Sequence, residues 1–147
     1  MPISQQIHIL HLEDSPRDAE LIHAQLSAGG LDFDVALVDT KEQYLAALAK
    51  DAFDLILVDY NMPGYSGIDL VYEALSIQPL LPIALASGYI TAEIEQAAMA
   101  AGARALVHKP NDVEELCATV HRLLNERWRT APPRHWACAP EIGRAHV

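Results

Sequence analysis

Residues 55–67 read LILVDYNMPGYSG, and this stretch decides the fold of the chain. The four consecutive aliphatic residues from Leu55 to Val58 predict a strand that is buried on both faces, as in a parallel sheet. The strand stops at Asp59, and Pro63 with Gly64 marks the turn that follows. Because an ionised carboxylate is costly to bury without a partner, we expect Asp59 to stand in a crevice at the end of the strand.

Four further apolar runs alternate with helical patterns around this strand. The predicted strands cover residues 7–12, 33–38, 55–58, 82–86 and 105–108. Ser15 followed by Pro16 predicts the start of the first helix, and Gly29 with Gly30 predicts its end. Five strand–helix repeats of this kind predict an α/β fold, in which a parallel sheet lies between two layers of helices.

The composition limits the class of protein. The chain has 147 residues, enough for one domain, and a net charge of −10 at pH 7. Residues 1–126 carry 19 acidic and 6 basic side chains, so this part repels phosphates and we expect no direct nucleic acid binding. No apolar run is long enough to span a bilayer, so we expect no membrane insertion. The widely spaced Cys117 and Cys138 fit a reducing compartment such as the cytoplasm better than a disulfide framework.

The periodic pattern ends near residue 128. Residues 129–147 contain three prolines and show no helical or strand periodicity. We therefore predict one domain over residues 1–128, followed by a tail or linker over residues 129–147 without a separate fold.

Candidate site residues follow four of the five predicted strands. Glu13 and Asp14 follow the first, Asp59 the third, Ser87 the fourth and Lys109 the fifth. Since the carboxyl ends of parallel strands meet at one edge of a sheet, where open α/β sheets bind ligands, we expect these groups to converge.

Three converging carboxylates repel one another. Unless one of them stays protonated, they require a cation, and a ligand set of oxygens without histidine or cysteine favours Mg²⁺. A lysine beside them suits a phosphoryl oxygen. A carboxylate nucleophile, a metal ion, a lysine and a hydroxyl donor together indicate aspartyl-phosphate chemistry.

The motifs that carry these groups resemble those of a known family. They are ED at 13–14, DYNMPGYSG at 59–67, SG at 87–88 and KP at 109–110. Together they resemble the receiver domain of two-component response regulators over about residues 5–127, either as a stand-alone protein or as part of a hybrid histidine kinase. The resemblance implies a three-layer (βα)5 flavodoxin-like fold, with a five-stranded parallel sheet of order 2-1-3-4-5.

The resemblance also implies a metal site. Asp14 and Asp59 are expected to bind Mg²⁺ directly, the backbone carbonyl of Asn61 to supply a third ligand, and Glu13 to assist. Glu13 stands where the family commonly has aspartate, so the geometry of the metal site is expected to differ slightly.

Three residues are implied to handle the phosphoryl group. Asp59 is expected to take it from a phosphohistidine of a sensor histidine kinase or phosphotransfer protein. Lys109 is expected to bond it, and Ser87, in place of the family's usual threonine, to hydrogen-bond it after transfer. The Lys109–Pro110 bond resembles the family's cis peptide, which aims the lysine at the site.

The output is implied to be protein binding that depends on phosphorylation. The expected surface is the face of the fourth helix, fifth strand and fifth helix, which would contact a downstream protein or a second copy of the chain. Leu106 stands where many members carry a tyrosine or phenylalanine that moves inward on activation. An aromatic switch is therefore not established by this sequence.

Two other functions compete with a phosphorylated receiver. A haloacid-dehalogenase-like phosphohydrolase also uses an aspartyl nucleophile, Mg²⁺ and a lysine, but it requires a second aspartate where this chain has Asn61. A pseudo-receiver would bind partners without phosphorylation. Under the leading hypothesis the domain is not an enzyme, apart from catalysing its own phosphorylation and dephosphorylation.

Overall fold

A computed structural model describes residues 6–62, 64–109 and 113–130. Strands and helices alternate throughout this part of the chain. The elements are β1 (Ile7–Leu12), α1 (Pro16–Ala28), β2 (Phe33–Val38), α2 (Lys41–Lys50), β3 (Leu55–Asp59), α3 (Gly67–Ile77), β4 (Ile83–Ser87), α4 (Ala92–Ala101), β5 (Ala105–His108) and α5 (Val113–Thr130).

The five strands form one parallel sheet in the order β2-β1-β3-β4-β5, which confirms the predicted topology. The register aligns the carboxyl ends of the central strands. Leu12 pairs with Val58, so Glu13 follows β1 at the level of Asp59. Ser87 pairs with His108, so Lys109 leaves β5 one residue beyond Ser87.

Helices cover both faces of the sheet. Ile56 and Val58 point into a core cluster with α2, α3 and α4, whereas Leu55 and Leu57 point into a second cluster with α1 and α5. All four residues are at most 2% exposed, which confirms that the run LILV is a strand buried on both sides.

Ser15 caps the first helix as the sequence predicted, and Thr40 caps α2 in the same way. The side-chain oxygen of Ser15 accepts the backbone N–H of Asp18, and that of Thr40 accepts the backbone N–H of Gln43. Each bond satisfies one of the free N–H groups of a first helical turn. Gly102 ends α4 with a φ of 116°, a conformation that glycine adopts readily.

The element boundaries differ from the prediction in three places. β3 includes Asp59, one residue beyond the predicted end of the strand. β4 begins at Ile83, because Pro82 has no N–H to donate to a neighbouring strand, and it extends through Ser87. α5 continues to Thr130, two residues beyond the predicted end of the domain, while residues 131–147 lie outside the described part. Among the described residues, every helix is too short or too polar to cross a membrane.

Candidate functional site

Three carboxylates meet at the carboxyl edge of the sheet. One oxygen each from Glu13, Asp14 and Asp59 lies within 4.8 Å of the other two. Glu13 and Asp59 are buried, with exposed fractions of 2% and 4%, whereas Asp14 is exposed. The expected convergence of these residues is therefore present, in a cluster that is closed on the side of the sheet and open to solvent at Asp14.

Lys109 enters the cluster from β5. Its Nζ lies 2.8 Å from Oε1 of Glu13 and 3.5 Å from Oδ1 of Asp59. A third carboxylate, from Asp18 in the first turn of α1, lies 3.0 Å from the same nitrogen. The sequence pattern did not predict this contact.

Ser87 and Asn61 are hydrogen-bonded to each other, and Asn61 is also hydrogen-bonded to Asp59. The Ser87 hydroxyl donates to the backbone carbonyl of Tyr89 at 2.9 Å, and its oxygen accepts the backbone N–H of Tyr89 at 3.1 Å. The Asn61 side chain donates to Ser87 Oγ at 3.4 Å, and its backbone N–H donates to Asp59 Oδ1 at 3.1 Å. In this state the serine hydroxyl is bonded to its own loop.

A cavity of about 440 Å³ opens over the carboxylates. Its polar end is lined by the site residues, including Gly88, and its apolar end continues between α1 and α5 past Leu21, Ile22 and Leu116. Gly88 lines this cavity together with Asp59. A ligand group can therefore reach Asp59 from the side of α1.

Residues 9–121 match the model of the response regulator receiver domain. The chain belongs to this family. Among curated relatives, it is 32% identical over 126 residues to the response regulator protein PilR of Pseudomonas aeruginosa, with 84% of this chain and 28% of PilR covered. It is 30% identical over 118 residues to the transcriptional regulatory protein ZraR of Escherichia coli, with 80% of this chain and 26% of ZraR covered. The chain thus spans about a quarter of the length of these relatives.

Solved structures of receivers have the same fold. Chemotaxis response regulator CheY4 of Vibrio cholerae superposes with a TM-score of 0.72 at 26% identity, covering 81% of this chain and 99% of CheY4. A CheY-like receiver domain from Methanospirillum hungatei gives a TM-score of 0.75 at 24% identity, covering 86% of this chain and 100% of the other. The flavodoxin-like fold predicted from the sequence is thereby confirmed.

The receiver's acidic cluster carries more negative charge than Lys109 neutralises. Burial, together with the nearby Asp59, raises the pKa of Glu13 to about 7, although the hydrogen bond from Lys109 opposes the rise. Burial alone would lower the pKa of Lys109, but its hydrogen bonds to Glu13 and Asp18 outweigh burial and raise it. The carboxylates are therefore crowded, and added positive charge would reduce the repulsion between them.

The donor atoms fit a hard divalent cation. Glu13, Asp14 and Asp59 offer carboxylate oxygens, with no histidine or cysteine among the grouped ligand atoms of the described residues. Oxygen ligands of this kind suit Mg²⁺. The side-chain nitrogen of Asn61 donates to Ser87 Oγ, and the backbone carbonyl of Asn61 is the prospective ligand expected from the sequence.

Two further expectations concern Leu106, which lies in β5, and Pro110. Leu106 is partly buried and packs against the cluster formed with α2, α3 and α4, so an aliphatic side chain fills the position of the family's aromatic residue. Pro110, and with it the expected cis peptide, lies outside the described residues.

One buried polar residue of the receiver was not singled out by the sequence. His11 is fully buried on β1, and its Nδ1 lies 2.9 Å from Nε2 of His23 on α1. Burial, and then the proximity of His23 and Lys109, lowers the pKa of His11 to about 3. The ring is therefore neutral, and it joins β1 to α1 beneath the acidic cluster.

Proposed function

We propose that this receiver domain takes a phosphoryl group from a phosphohistidine onto Asp59, with Mg²⁺, and signals by binding other proteins according to its phosphorylation state. The observation that carries the proposal is the convergence of Glu13, Asp14 and Asp59, with Lys109 3.5 Å from Asp59. Family membership supports the same conclusion.

Asp14 and Asp59 would hold the metal directly, with the Asn61 carbonyl as a further ligand and Glu13 assisting. When bound, Mg²⁺ supplies positive charge that offsets the carboxylates and the phosphoryl oxygens. The raised pKa of Glu13 supports this assignment, because the site contains negative charge that its one lysine leaves partly uncompensated.

The transfer itself is a displacement at phosphorus. A carboxylate oxygen of Asp59 forms a bond to phosphorus while the phosphorus–nitrogen bond of the phosphohistidine breaks, and the imidazole nitrogen keeps the electron pair. Lys109 donates an N–H to a phosphoryl oxygen, for which it is already positioned beside Asp59. The buried strand β3 holds Asp59 at the attack position, which reduces the entropy cost of the step.

The phosphohistidine donor approaches through the open cavity. The apolar end of the cavity, past Leu21 on α1, supports a contact with an apolar side chain of a sensor histidine kinase or phosphotransfer protein. Leu21 is 45% exposed and borders this route. The identity of the donor protein follows from the family and is part of the proposal.

The output begins at Ser87. To donate to a phosphoryl oxygen, its hydroxyl has to leave the carbonyl of Tyr89, and the loop between β4 and α4 then rearranges. This loop leads into the face of α4, β5 and α5, where we propose that a downstream protein or a second copy of the chain binds. Because Leu106 is aliphatic, the signal passes through the loop without an aromatic rotamer change.

The proposal also includes the predictions made from the sequence about localisation, domain extent, nucleic acid binding and catalysis. The receiver acts in the cytoplasm, spans residues 1–128 with residues 129–147 as a tail or linker, and does not itself bind nucleic acid. It catalyses only its own phosphorylation and dephosphorylation. Neither a phosphohydrolase nor a pseudo-receiver is favoured, because Asn61 has no acidic proton to donate and the proximity of Lys109 to the carboxylates supports phosphorylation.

Mass analysis of the intact protein tests the proposal. After incubation with acetyl phosphate and Mg²⁺, we expect one added phosphoryl group, which is absent in Asp59→Asn and after chelation of the metal. If the wild-type protein stays unmodified with acetyl phosphate and also with a phosphorylated kinase as donor, the proposal is refuted. Steady release of phosphate from simple phosphate esters would favour the phosphohydrolase instead.

A further inference from the structure

The ammonium group of Lys109 is shared by three carboxylates. Nζ lies 2.8 Å from Glu13, 3.0 Å from Asp18 and 3.5 Å from Asp59. An ammonium group has three N–H donors, so these contacts can use all of them. The Asp18 side chain is 40% exposed, whereas those of Glu13 and Asp59 are at most 5% exposed.

Asp18 differs from the other two partners in what else is required of it. Glu13 and Asp59 belong to the group of carboxylates that can hold a cation, and Asp59 is the proposed phosphoryl acceptor. Asp18 lies outside that group. Its contact with Lys109 can therefore persist when a metal ion and a phosphoryl group engage the other two carboxylates.

Asp18 also lies on a fixed part of the backbone. It is in the first turn of α1, and its backbone N–H donates to Ser15 Oγ at 3.2 Å. The preceding Pro16 begins the helix with a restricted φ. The carboxylate is thus presented to Lys109 by a turn that the Ser15 cap and Pro16 hold in place.

We propose that Asp18 is a positioning residue for Lys109, which it holds beside Asp59 while Mg²⁺ and the phosphoryl group occupy the other carboxylates. This inference rests on the proposed function. The simpler interpretation is that Asp18 only stabilises the N-terminus of α1 through its charge. That interpretation predicts an effect on folding stability and none on Lys109.

Chemical labelling of lysines separates the two interpretations without any phosphorylation. The chain has three lysines, so the labelling of Lys109 by an amine-selective reagent can be measured by peptide mass analysis relative to the exposed Lys50. Without Mg²⁺, we expect Asp18→Asn to raise the relative labelling rate of Lys109 about two- to fivefold, as expected for the loss of one partly exposed ion pair.

Glu20→Gln is the matched control, since Glu20 is an exposed carboxylate on the same helix. It should leave the labelling of Lys109 unchanged. Equal labelling in wild type and Asp18→Asn would overturn the proposal, as would an equal increase in Glu20→Gln. Asp18→Glu, which keeps the charge, should restore the low rate.

Phosphorylation rates then test the consequence of the pairing. At saturating Mg²⁺ and acetyl phosphate, Asp18→Asn should slow the phosphorylation of Asp59 about two- to fivefold. In a Lys109→Met background it should cause no further slowing, because its effect passes through Lys109. Independent, additive effects would contradict the positioning role. If wild type takes up no phosphoryl group, the proposed function fails, while the labelling experiment still decides whether Asp18 holds Lys109.

Discussion

Two aspartates stand at the two ends of β3, both buried, and they have opposite surroundings. Asp54 precedes the strand and is 8% exposed, while Asp59 ends it and is 4% exposed. A carboxylate oxygen of Asp54 accepts the backbone N–H of His8 at 3.0 Å, and its own N–H donates to the carbonyl of His8 at 2.7 Å. Asp59 instead faces two further carboxylates and a lysine.

The difference separates a structural carboxylate from a chemical one. At Asp54, bonds to the backbone join the beginning of β3 to β1, so the carboxylate serves the sheet. At Asp59, like charges crowd the group and leave a requirement for positive charge that Lys109 meets only in part. Burial alone would not have distinguished the two residues.

The sharpest test of this contrast is the phosphorylation of two matched variants. Asp59→Asn removes the nucleophile and should abolish uptake of a phosphoryl group from acetyl phosphate. Asp54→Asn removes an equally buried carboxylate at the opposite end of the strand and should leave uptake near the wild-type level. Mass analysis of both proteins after the same incubation measures the difference. Loss of uptake in the Asp54 variant would break the comparison.

The Mg²⁺ affinity of the cluster formed by Glu13, Asp14 and Asp59 should depend strongly on pH. Because the pKa of Glu13 is raised to about 7, a cation has to displace a proton from this residue below that pH. We expect apparent Mg²⁺ binding to be about tenfold weaker at pH 6 than at pH 8. Titration calorimetry at the two pH values measures the change. Glu13→Gln should remove most of this pH dependence, and a wild-type affinity that is constant from pH 6 to pH 8 would contradict the assignment.

The raised pKa of Glu13 also has a consequence for stability, with the opposite sign from that of a carboxylate whose pKa is lowered on folding. The folded state holds this proton more tightly than the unfolded state, so wild type loses stability as the pH rises from about 4.5 to about 7 in Mg²⁺-free buffer. Glu13→Gln should therefore be more stable than wild type at pH 8, and this advantage should shrink toward pH 5. Urea denaturation at both pH values provides the measurement.

Substitution of Asp54, at the beginning of β3, should change the free energy of unfolding and not the phosphorylation. Asp54→Ala leaves the N–H of His8 without this carboxylate partner, and we expect it to lower the free energy of unfolding by about 1–3 kcal/mol. Asp59→Asn should match or exceed wild-type stability without Mg²⁺, because it removes one of several crowded charges. Urea denaturation of the two variants compares these effects, and a greater loss of stability in Asp59→Asn would reverse our interpretation.

The smallest effect is expected at Ser87. Ser87→Ala loses the hydrogen bonds to Tyr89 and should cost about 0.5–1.5 kcal/mol of stability. Phosphorylation of Asp59 should persist, whereas the change in the Tyr89 amide resonance on phosphorylation should be lost. Ser87→Thr, which keeps the hydroxyl, is the control. If the Tyr89 amide resonance still changes on phosphorylation of Ser87→Ala, the rearrangement of the loop does not depend on the Ser87 hydroxyl.

The sequence predicted the acidic end of the sheet well because the fold leaves it few alternatives. Once LILV is assigned to a central parallel strand, the residues that follow neighbouring strands must meet, so Glu13, Asp14 and Asp59 could be placed together. Lys109 could be added because it directly follows β5. These placements depend on strand order and register, and the resemblance to receiver domains supplied the strand order.

Contacts that depend on side-chain direction could not be predicted in this way. Asp18 and Lys109 are 91 positions apart, and an aspartate in a first helical turn already has a sufficient local explanation. The bond from Ser87 to Tyr89 depends on a rotamer, and the bridge between Asp54 and His8 depends on the twist of two strands. The sequence distinguished Asp59 from Asp54 by its place at the carboxyl end of the strand and by the motif that follows it, but it did not predict what Asp54 binds.

A titration with Mg²⁺ followed by amide NMR tests the central claim most directly. We expect saturable shifts in the amides that follow β1, β3 and β5, around Asp14, Asn61 and Lys109, with little change around Asp54 and His8. The same titration of Asp59→Asn should show much weaker binding. If Mg²⁺ produced no saturable shifts, or shifted both ends of β3 alike, the carboxyl edge of the sheet would not be the metal-dependent site proposed for this receiver.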